Sequence, residues 1–525
     1  MLGWSISIAL LLSLFLTVGW PHGTQAGAGV HVPPMPLARY GHTDRPQVIS
    51  IRALPAAPSS AHPQSNIAFH PPDQAAFDAA KVAAQQGGTG RQAGVVNLVP
   101  SPASGGPVAM QISGEAVLAA FPATSFRQEQ ALVGEVAPPD TQIAAGPAYL
   151  LEMVNTTASF WIKSGSLVRV VDLNAFFGVP TGYSLVDPRV LYDAISGRWF
   201  ASGLAYDAAF DSQVFAAVSQ SADPTLGWYV YAIAGNLSGT VFDQPKLGVS
   251  VDKVVVSWND YSSSGTLFAG QETWVIQESD MLTGLSLRMW RFGPDMNRFD
   301  LVPVQSLTSV STEYLAYNRN SLHGSPYAGA YLGVVALNGV PAQGAVTWSE
   351  SDPGILATSF PPDAQQPGTA RLISTNDDRL LSAVWQNDQL WASGNDGCNR
   401  SGDTATRSCL KIIEVSTSGP SAVLQDVDVG RFGAYVYDPA ISLDAGGNMV
   451  AAFSESSSNL YAGFYATGQL ASTPGAFQSE LTLAPGMGAY DCSFCGTENR
   501  WGDYSGAAPD PSSPCLLYTS PSPRD

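Results

Sequence analysis

The chain is poor in charge: 13% of its 525 residues are Asp, Glu, Lys or Arg, where soluble domains average roughly 25%. Histidine is scarcer still. There are six, and beyond His70 only His323 remains. A Ser–His–Asp relay needs a histidine oriented beside its nucleophile, and no Gly-x-Ser-x-Gly elbow accompanies this one, so that chemistry is disfavoured. Glycine-rich phosphate loops are missing, as is a contiguous Asp-x-Asp-x-Asp-Gly loop of the kind that wraps Ca²⁺. Past the first twenty residues no run is long and apolar enough to cross a bilayer. Basic residues are few: 24 Lys and Arg against 43 Asp and Glu leave a net charge of −19. Such a surface repels phosphate backbones and anionic headgroups, which excludes nucleic acid and peripheral membrane binding as expected roles.

What fills the space is small, polar and aromatic. Gly (51), Pro (38), Trp (12), Tyr (19) and Phe (21) accompany abundant Ser, Thr and Asn, the vocabulary of many short strands joined by turns. With 45% apolar residues the chain can bury a large core.

The apolar stretch Ile6 to Trp20, followed by Pro21 and the small-residue site Thr24-Gln25-Ala26, reads as a signal peptide over residues 1–26. No Lys or Arg precedes it. The stretch is short for a membrane anchor, so a secreted or cell-surface protein is expected, with no membrane insertion after cleavage. In that compartment the cysteines pair into local disulfides, Cys398 with Cys409 and Cys492 with Cys495. Cys492-Ser-Phe-Cys495 as a zinc site would need two more ligands, and His323 is the only histidine near enough in the chain to offer one.

Cys515-Leu-Leu-Tyr-Thr-Ser-Pro-Ser-Pro-Arg-Asp525 matches, residue for residue, the translation of a transposase adapter used in sequencing libraries. Residues 515–525 are therefore expected to be non-native, Cys515 is set aside from the disulfide count, and the native sequence is expected to be cut near Pro514.

Residues 27–135 are rich in Pro, Ala, Gly and Gln and read as a largely disordered leader. It holds one helix candidate, Asp73 to Gln86, opened by a capping Asp and ended by Gly87-Gly88. Met110 to Phe121 is a candidate strand. From residue 136 to 514 short strands follow one another, with Lys163-Ser-Gly165 as a hairpin turn. Strand openings repeat. Asp140-Thr-Gln-Ile-Ala-Ala, Asp187-Pro-Arg-Val-Leu-Tyr-Asp193, Asp243-Gln-Pro-Lys-Leu-Gly-Val, Asp438-Pro-Ala-Ile-Ser-Leu-Asp444 and Asp503-Tyr-Ser-Gly-Ala-Ala form the series. Ser306-Leu-Thr-Ser-Val and Arg371-Leu-Ile-Ser-Thr are weaker members. Successive spacings are 47, 56, 63, 65, 67 and 65 residues. Room for four strands per repeat predicts an all-β fold, a β-propeller of seven blades with the last one truncated. Six or eight blades, stacked β-sandwiches and a parallel β-helix are the alternatives.

Ala137-Pro-Pro-Asp-Thr141, Asp187-Pro-Arg-Val-Leu-Tyr-Asp193 with Arg198-Trp199, Ser221-Ala-Asp-Pro224 with Gly227-Trp228-Tyr229, and Arg500-Trp-Gly-Asp-Tyr-Ser505 resemble uncharacterised secreted propeller-like proteins of bacterial and environmental sequences. The resemblance runs from Val136 to Pro514 and implies architecture without chemistry. Ser442-Leu-Asp-Ala-Gly446 resembles the Asp-box of sialidase-like propellers, with Met449 in place of the usual aromatic. In that motif the Asp and Gly shape a turn away from the active site.

A sialidase-like site would need several arginines to grip a carboxylate. Arg189, Arg198, Arg379, Arg431 and Arg500 are scattered along the chain without an Arg-Ile-Pro opening. Another glycosidase would need two carboxylates about 5–10 Å apart. The blade-opening Asp140, Asp187, Asp243, Asp438 and Asp503 are candidates to converge near the axis. There they would hold a ligand or a Ca²⁺, or simply cap turns; no other cofactor is expected. Arg500-Trp501-Gly-Asp503-Tyr504 is the densest polar–aromatic cluster, suited to a sugar or peptide, or else to inter-blade packing around Trp501. Two functions compete. One is a secreted binding or scaffold propeller, adhesive or carbohydrate-binding, whose partner is a carbohydrate or another extracellular polymer or protein. The other is an extracellular hydrolase or lyase acting on polysaccharide.

Overall fold

The computed structural model describes residues 32–35, 38–55, 74–86, 94–99, 120–121, 137–235, 240–262, 267–322, 325–492, 495, 499–513, 515 and 517–520. The candidate signal peptide, almost all of the candidate strand Met110 to Phe121, and His323 lie outside them. The fold is all-β and propeller-like, with 53% strand and 6% helix.

Six four-stranded antiparallel units follow one another, over residues 142–172, 184–235, 240–295, 302–351, 380–430 and 435–484. A two-stranded sheet over residues 506–520 comes last. Its outer strand, Leu517–Ser520, belongs to the stretch that reads as adapter. The opening strands of the seven units are β1 (Gln142–Ala145), β2 (Ser184–Asp193), β3 (Thr240–Val249), β4 (Val302–Pro303), β5 (Leu380–Gln386), β6 (Tyr435–Leu443) and β7 (Gly506–Pro509). Each touches the next, and β7 touches both β6 and β1. The short strand Gln305–Ser306 pairs in parallel with both β3 and β5, which joins the third and fifth units into one hydrogen-bonded sheet.

Each sheet is covered on both faces, and that explains the shortage of charge. Consecutive residues of a strand point to opposite faces. Accordingly Trp199 packs with Phe160, Phe176 and Trp228 between the first and second units. Its neighbour Phe200 packs with Leu204, Trp258 and Trp274 between the second and third. Every residue of β2 and of β6 is buried. Strands that bury both faces read as continuous apolar and small residues rather than as alternation, and a charge survives there only with a partner.

Parts of the leader belong to this body, in contrast with the expectation of a loose segment. Arg39–His42 pairs antiparallel with the outermost strand of the third unit, Gln47–Ser50 with that of the second, and Val95–Asn97 in parallel with that of the fifth. An outer strand carries a row of unpaired N–H and C=O groups, and these short segments cover it. The predicted helix is present as α1, Gln74–Gln85. Both expected disulfides form, Cys398–Cys409 across the fifth unit's second hairpin and Cys492–Cys495 in the loop before β7, while Cys515 is free and exposed. No helix among the described residues is long and apolar enough to cross a membrane.

Candidate functional site

The blade openings share a backbone conformation before they share a residue type. Asp140, Asp187, Gln244, Asp300, Asn376 and Asp438 all have left-handed φ, between 46° and 58°. That region costs most side chains about 1–2 kcal/mol and is relieved for Asp and Asn by local hydrogen bonds. In β2, β3 and β6 the left-handed residue is followed by proline. There the strand register slips, between Val186 and Arg189, Asp243 and Lys246, and Tyr437 and Ala440. A proline has no N–H for the ladder, so it is accommodated at a bulge. Three repeat positions read from the sequence shift as a result. Gln244 rather than Asp243 holds the turning position of the third unit, Asp300 rather than Ser306 that of the fourth, and Asn376 rather than Arg371 that of the fifth.

Asparagines clamp these turns, from the same unit or from the one before it. Asn155 donates to the Asp140 carboxylate at 2.7 Å and accepts from the Asp187 amide at 2.7 Å. Asn259 does the same for Asp300, donating to its carboxylate at 3.0 Å and accepting from its amide at 3.1 Å. Asn395 accepts from the Asp438 amide at 2.8 Å. The carboxylates themselves bridge units: Asp187 accepts from the Gln244 amide at 3.2 Å, and Asp140 from the Asp503 amide at 3.0 Å. These Asn clamps were not anticipated. Their signal is spacing, since Asn155 stands 15 residues after Asp140 and Asn259 stands equally far after Gln244.

The openings therefore meet at one end of the axis. Arg500 pairs with Asp503 and feels the charges of Asp140, Asp187 and Asp243. Arg379 forks onto Asp377, with Nε at 2.8 Å and Nη2 at 2.7 Å, and donates to Gln244 at 3.0 Å. Burial, and then the charge of Asp503, pushes the carboxyls of Asp140, Asp187 and Asp438 upward; burial and the charge of Asp187 do the same to Asp243. Of the scattered arginines, Arg189, Arg379 and Arg500 converge here. Arg431 instead pairs with Glu455 and Glu480 in the sixth unit, and Arg198 lies on the strand after β2.

The predicted ligand residues differ in access. Asp140, Asp187, Asp243 and Asp438 are buried, and among them Asp243 Oδ2 and Asp438 Oδ2 have no hydrogen-bond partner. Trp501 is buried against Tyr490, Tyr435 and Tyr437, with its indole donating to Ser454 at 3.0 Å, so it faces the core. Tyr504 is buried beneath the Arg189 guanidinium, 3.4 Å from its ring centre. Arg500 and Asp503 are less deeply buried, with 11% and 13% of their side-chain surface exposed. Among the described residues no group of three or more His, Cys, Asp or Glu side chains is placed to hold a metal ion. Beside the cluster, the opening strands line a partly open channel of about 90 Å³, whose walls include Gln142, Arg189, Lys246, Ser442 and Ser505. The Asp-box stretch shapes the hairpin after β6, where Asp444 accepts from the Gly446 and Asn448 amides at 2.8 and 2.9 Å.

An all-β propeller-like body with a polar axial end is thus the class that the fold and the site define. No family model matches the sequence, and no curated protein does. Solved structures do. A Hadza microbial sialidase aligns over 61% of this chain at 12% identity with a TM-score of 0.33, and the alignment spans 63% of the sialidase, just under two thirds of its length. A protein of unknown function from Dyadobacter fermentans aligns over 63% of this chain and 88% of its own, at 11% identity and a TM-score of 0.33. The α-L-arabinofuranosidase Arb93A from Fusarium graminearum aligns over 66% of this chain and 93% of its own, at 10% identity and a TM-score of 0.35. Likeness at this level concerns the course of the chain and assigns no chemistry.

Proposed function

We propose that this chain is an exported seven-bladed β-propeller that binds an extracellular carbohydrate or related polymer at the axial end where its blade openings meet. The contacts of β7 with both β6 and β1 support a ring of seven, and two disulfides suit an oxidising compartment. One observation favours binding over catalysis. Asp140 and Asp187 are buried and tied to N–H donors, whereas the less deeply buried members, Arg500 and Asp503, form an ion pair with each other. A hydrolase needs two carboxyl groups facing a common bond, one of them free to give up a proton. A paired Arg and Asp that keep a small exposed surface offer donors and acceptors to sugar hydroxyls instead.

The test is a panel of neutral and acidic polysaccharides, scored for retention of the protein and for released reducing ends. Retention without release, weakened at least tenfold in Arg500→Ala, is the expected result. A hydrolase reading draws on Asp243, whose free Oδ2 and raised carboxyl suit a general acid. Reducing ends that appear with the wild type and vanish in Asp243→Asn would establish it and displace the binding reading.

A further inference from the structure

The axial channel differs in sign from the molecule around it. The chain carries −19, yet the charged side chains lining the channel are Arg189 and Lys246, with no carboxylate among its lining residues. Both follow a proline bulge, Asp187-Pro188 in β2 and Gln244-Pro245 in β3, and so project from equivalent positions of adjacent units. Lys246 is tied to Asp300 by an ion pair.

Arg189 is held differently. It is 7% exposed. Its Nε donates to the Pro245 carbonyl at 3.3 Å, and its guanidinium lies flat on Tyr504, whose hydroxyl donates in turn to the Pro188 carbonyl at 3.3 Å. The fork is thereby fixed, and its Nη2 has no hydrogen-bond partner. Ser505 lines the same channel, is 4% exposed, and its Oγ is also without a partner. A buried guanidinium N–H left unmade is unfavourable by about 1–3 kcal/mol or more, so the pair awaits an acceptor. One guanidinium N–H and one hydroxyl offer two separate donors, which the two oxygens of a carboxylate can accept together and a lone hydroxyl cannot, and the guanidinium charge adds to the preference for an anion. Burial also pushes the neighbouring Asp187 carboxyl upward, which weakens the countercharge beside Arg189.

We infer that the axial channel is a carboxylate-binding site, in which a carboxylate-bearing sugar such as a uronic acid places its carboxylate oxygens on Arg189 Nη2 and Ser505 Oγ. The inference rests on the binding reading above and narrows its ligand to the acidic class.

The experiment is calorimetric titration of the full chain with glucuronate, with glucose as the same ring lacking the carboxylate, and with sulfate as a non-planar anion. Saturable binding of glucuronate alone is expected, about tenfold or more weaker in Arg189→Gln and severalfold weaker in Ser505→Ala. Ser505→Ala removes a hydroxyl that bonds to nothing, so its thermal melt should match the wild type, and it carries the test if Arg189→Gln fails to fold. Absence of glucuronate binding, equal binding of sulfate, or unchanged affinity in folded Ser505→Ala and Arg189→Gln would each overturn the carboxylate site. Neutral polysaccharides retained regardless of Arg189 would overturn it while leaving the binding reading intact. Retention of no polysaccharide at all would remove both.

Discussion

Asp438 has a φ of 54°, its amide is held by Asn395, and one of its carboxylate oxygens is buried without a partner. The residue is thus chosen for backbone conformation, and its charge is a burden. Asn tolerates the left-handed region and replaces the unpartnered oxygen with a neutral group, while Ala keeps the strain and loses the local hydrogen bonding. Asp438→Asn should therefore unfold in urea within about 0.5 kcal/mol of the wild type or slightly above it, and Asp438→Ala about 1–3 kcal/mol below it. Equal losses in both would show that the carboxylate itself is needed. For the same reason the site was only partly legible in the sequence. Aspartates at β1, β2 and β6 were visible because Asp recurs there. The openings at Gln244, Asp300 and Asn376 were hidden because the repeat is one of φ, which Gln and Asn also satisfy. Arg189 was one arginine among several, since nothing in sequence order shows that Tyr504, more than 300 residues later, would become its stacking surface.

Among the elements, α1 has the most specific anchor. Lys81 is buried and donates to Asp363 at 2.7 Å, to the Pro361 carbonyl at 3.0 Å and to Thr375 at 3.1 Å. Its helix was readable from the capping Asp and the closing glycines. Its docking was not, because the partners lie about 280 residues away in a loop between the fourth and fifth units. Lys81→Met keeps the helix but leaves the Asp363 carboxylate buried without its cation, a loss of about 3–5 kcal/mol for such pairs. By hydrogen exchange, residues 74–86 should then open at least tenfold faster, with β1 to β7 unchanged. Unchanged exchange in the helix would mean that its apolar face, including Ala80 and Ala84 against Phe360, suffices. The leader strands were missed for a related reason. Segments such as Gln47–Ser50 gain their structure from an edge that another part of the chain presents, and carry little pattern of their own.

The whole molecule stores carboxyl groups in environments that favour the neutral form. Burial raises Asp260 to about 8, Glu272 to about 7, Glu278 to about 8 and Glu455, further lifted by Glu480, to about 9. Asp140, Asp187, Asp243 and Asp438 shift the same way at the axis. A carboxyl raised in the folded state holds a proton that the unfolded chain has released, so the folded state binds more protons across this window. Stability then falls as pH rises from about 5 to about 8, and the net charge of −19 adds repulsion in the same direction. Thermal melts should accordingly show a higher midpoint at pH 5.5 than at pH 8. A midpoint that rises with pH would mean that these groups are ionised and paired. The all-β propeller-like class was legible from composition and repeat length, because sheets covered on both faces impose low charge on nearly every strand.

The proposed binding reading places the ligand of this chain on the axis. The measurement that addresses it most directly is a crystal structure of the chain soaked with the acidic oligosaccharide that binds best. Density is expected at the end marked by Arg500 and Asp503 or within the channel, with a carboxylate on Arg189. Density on the outer rim of the blades, with the axis unchanged, would contradict it.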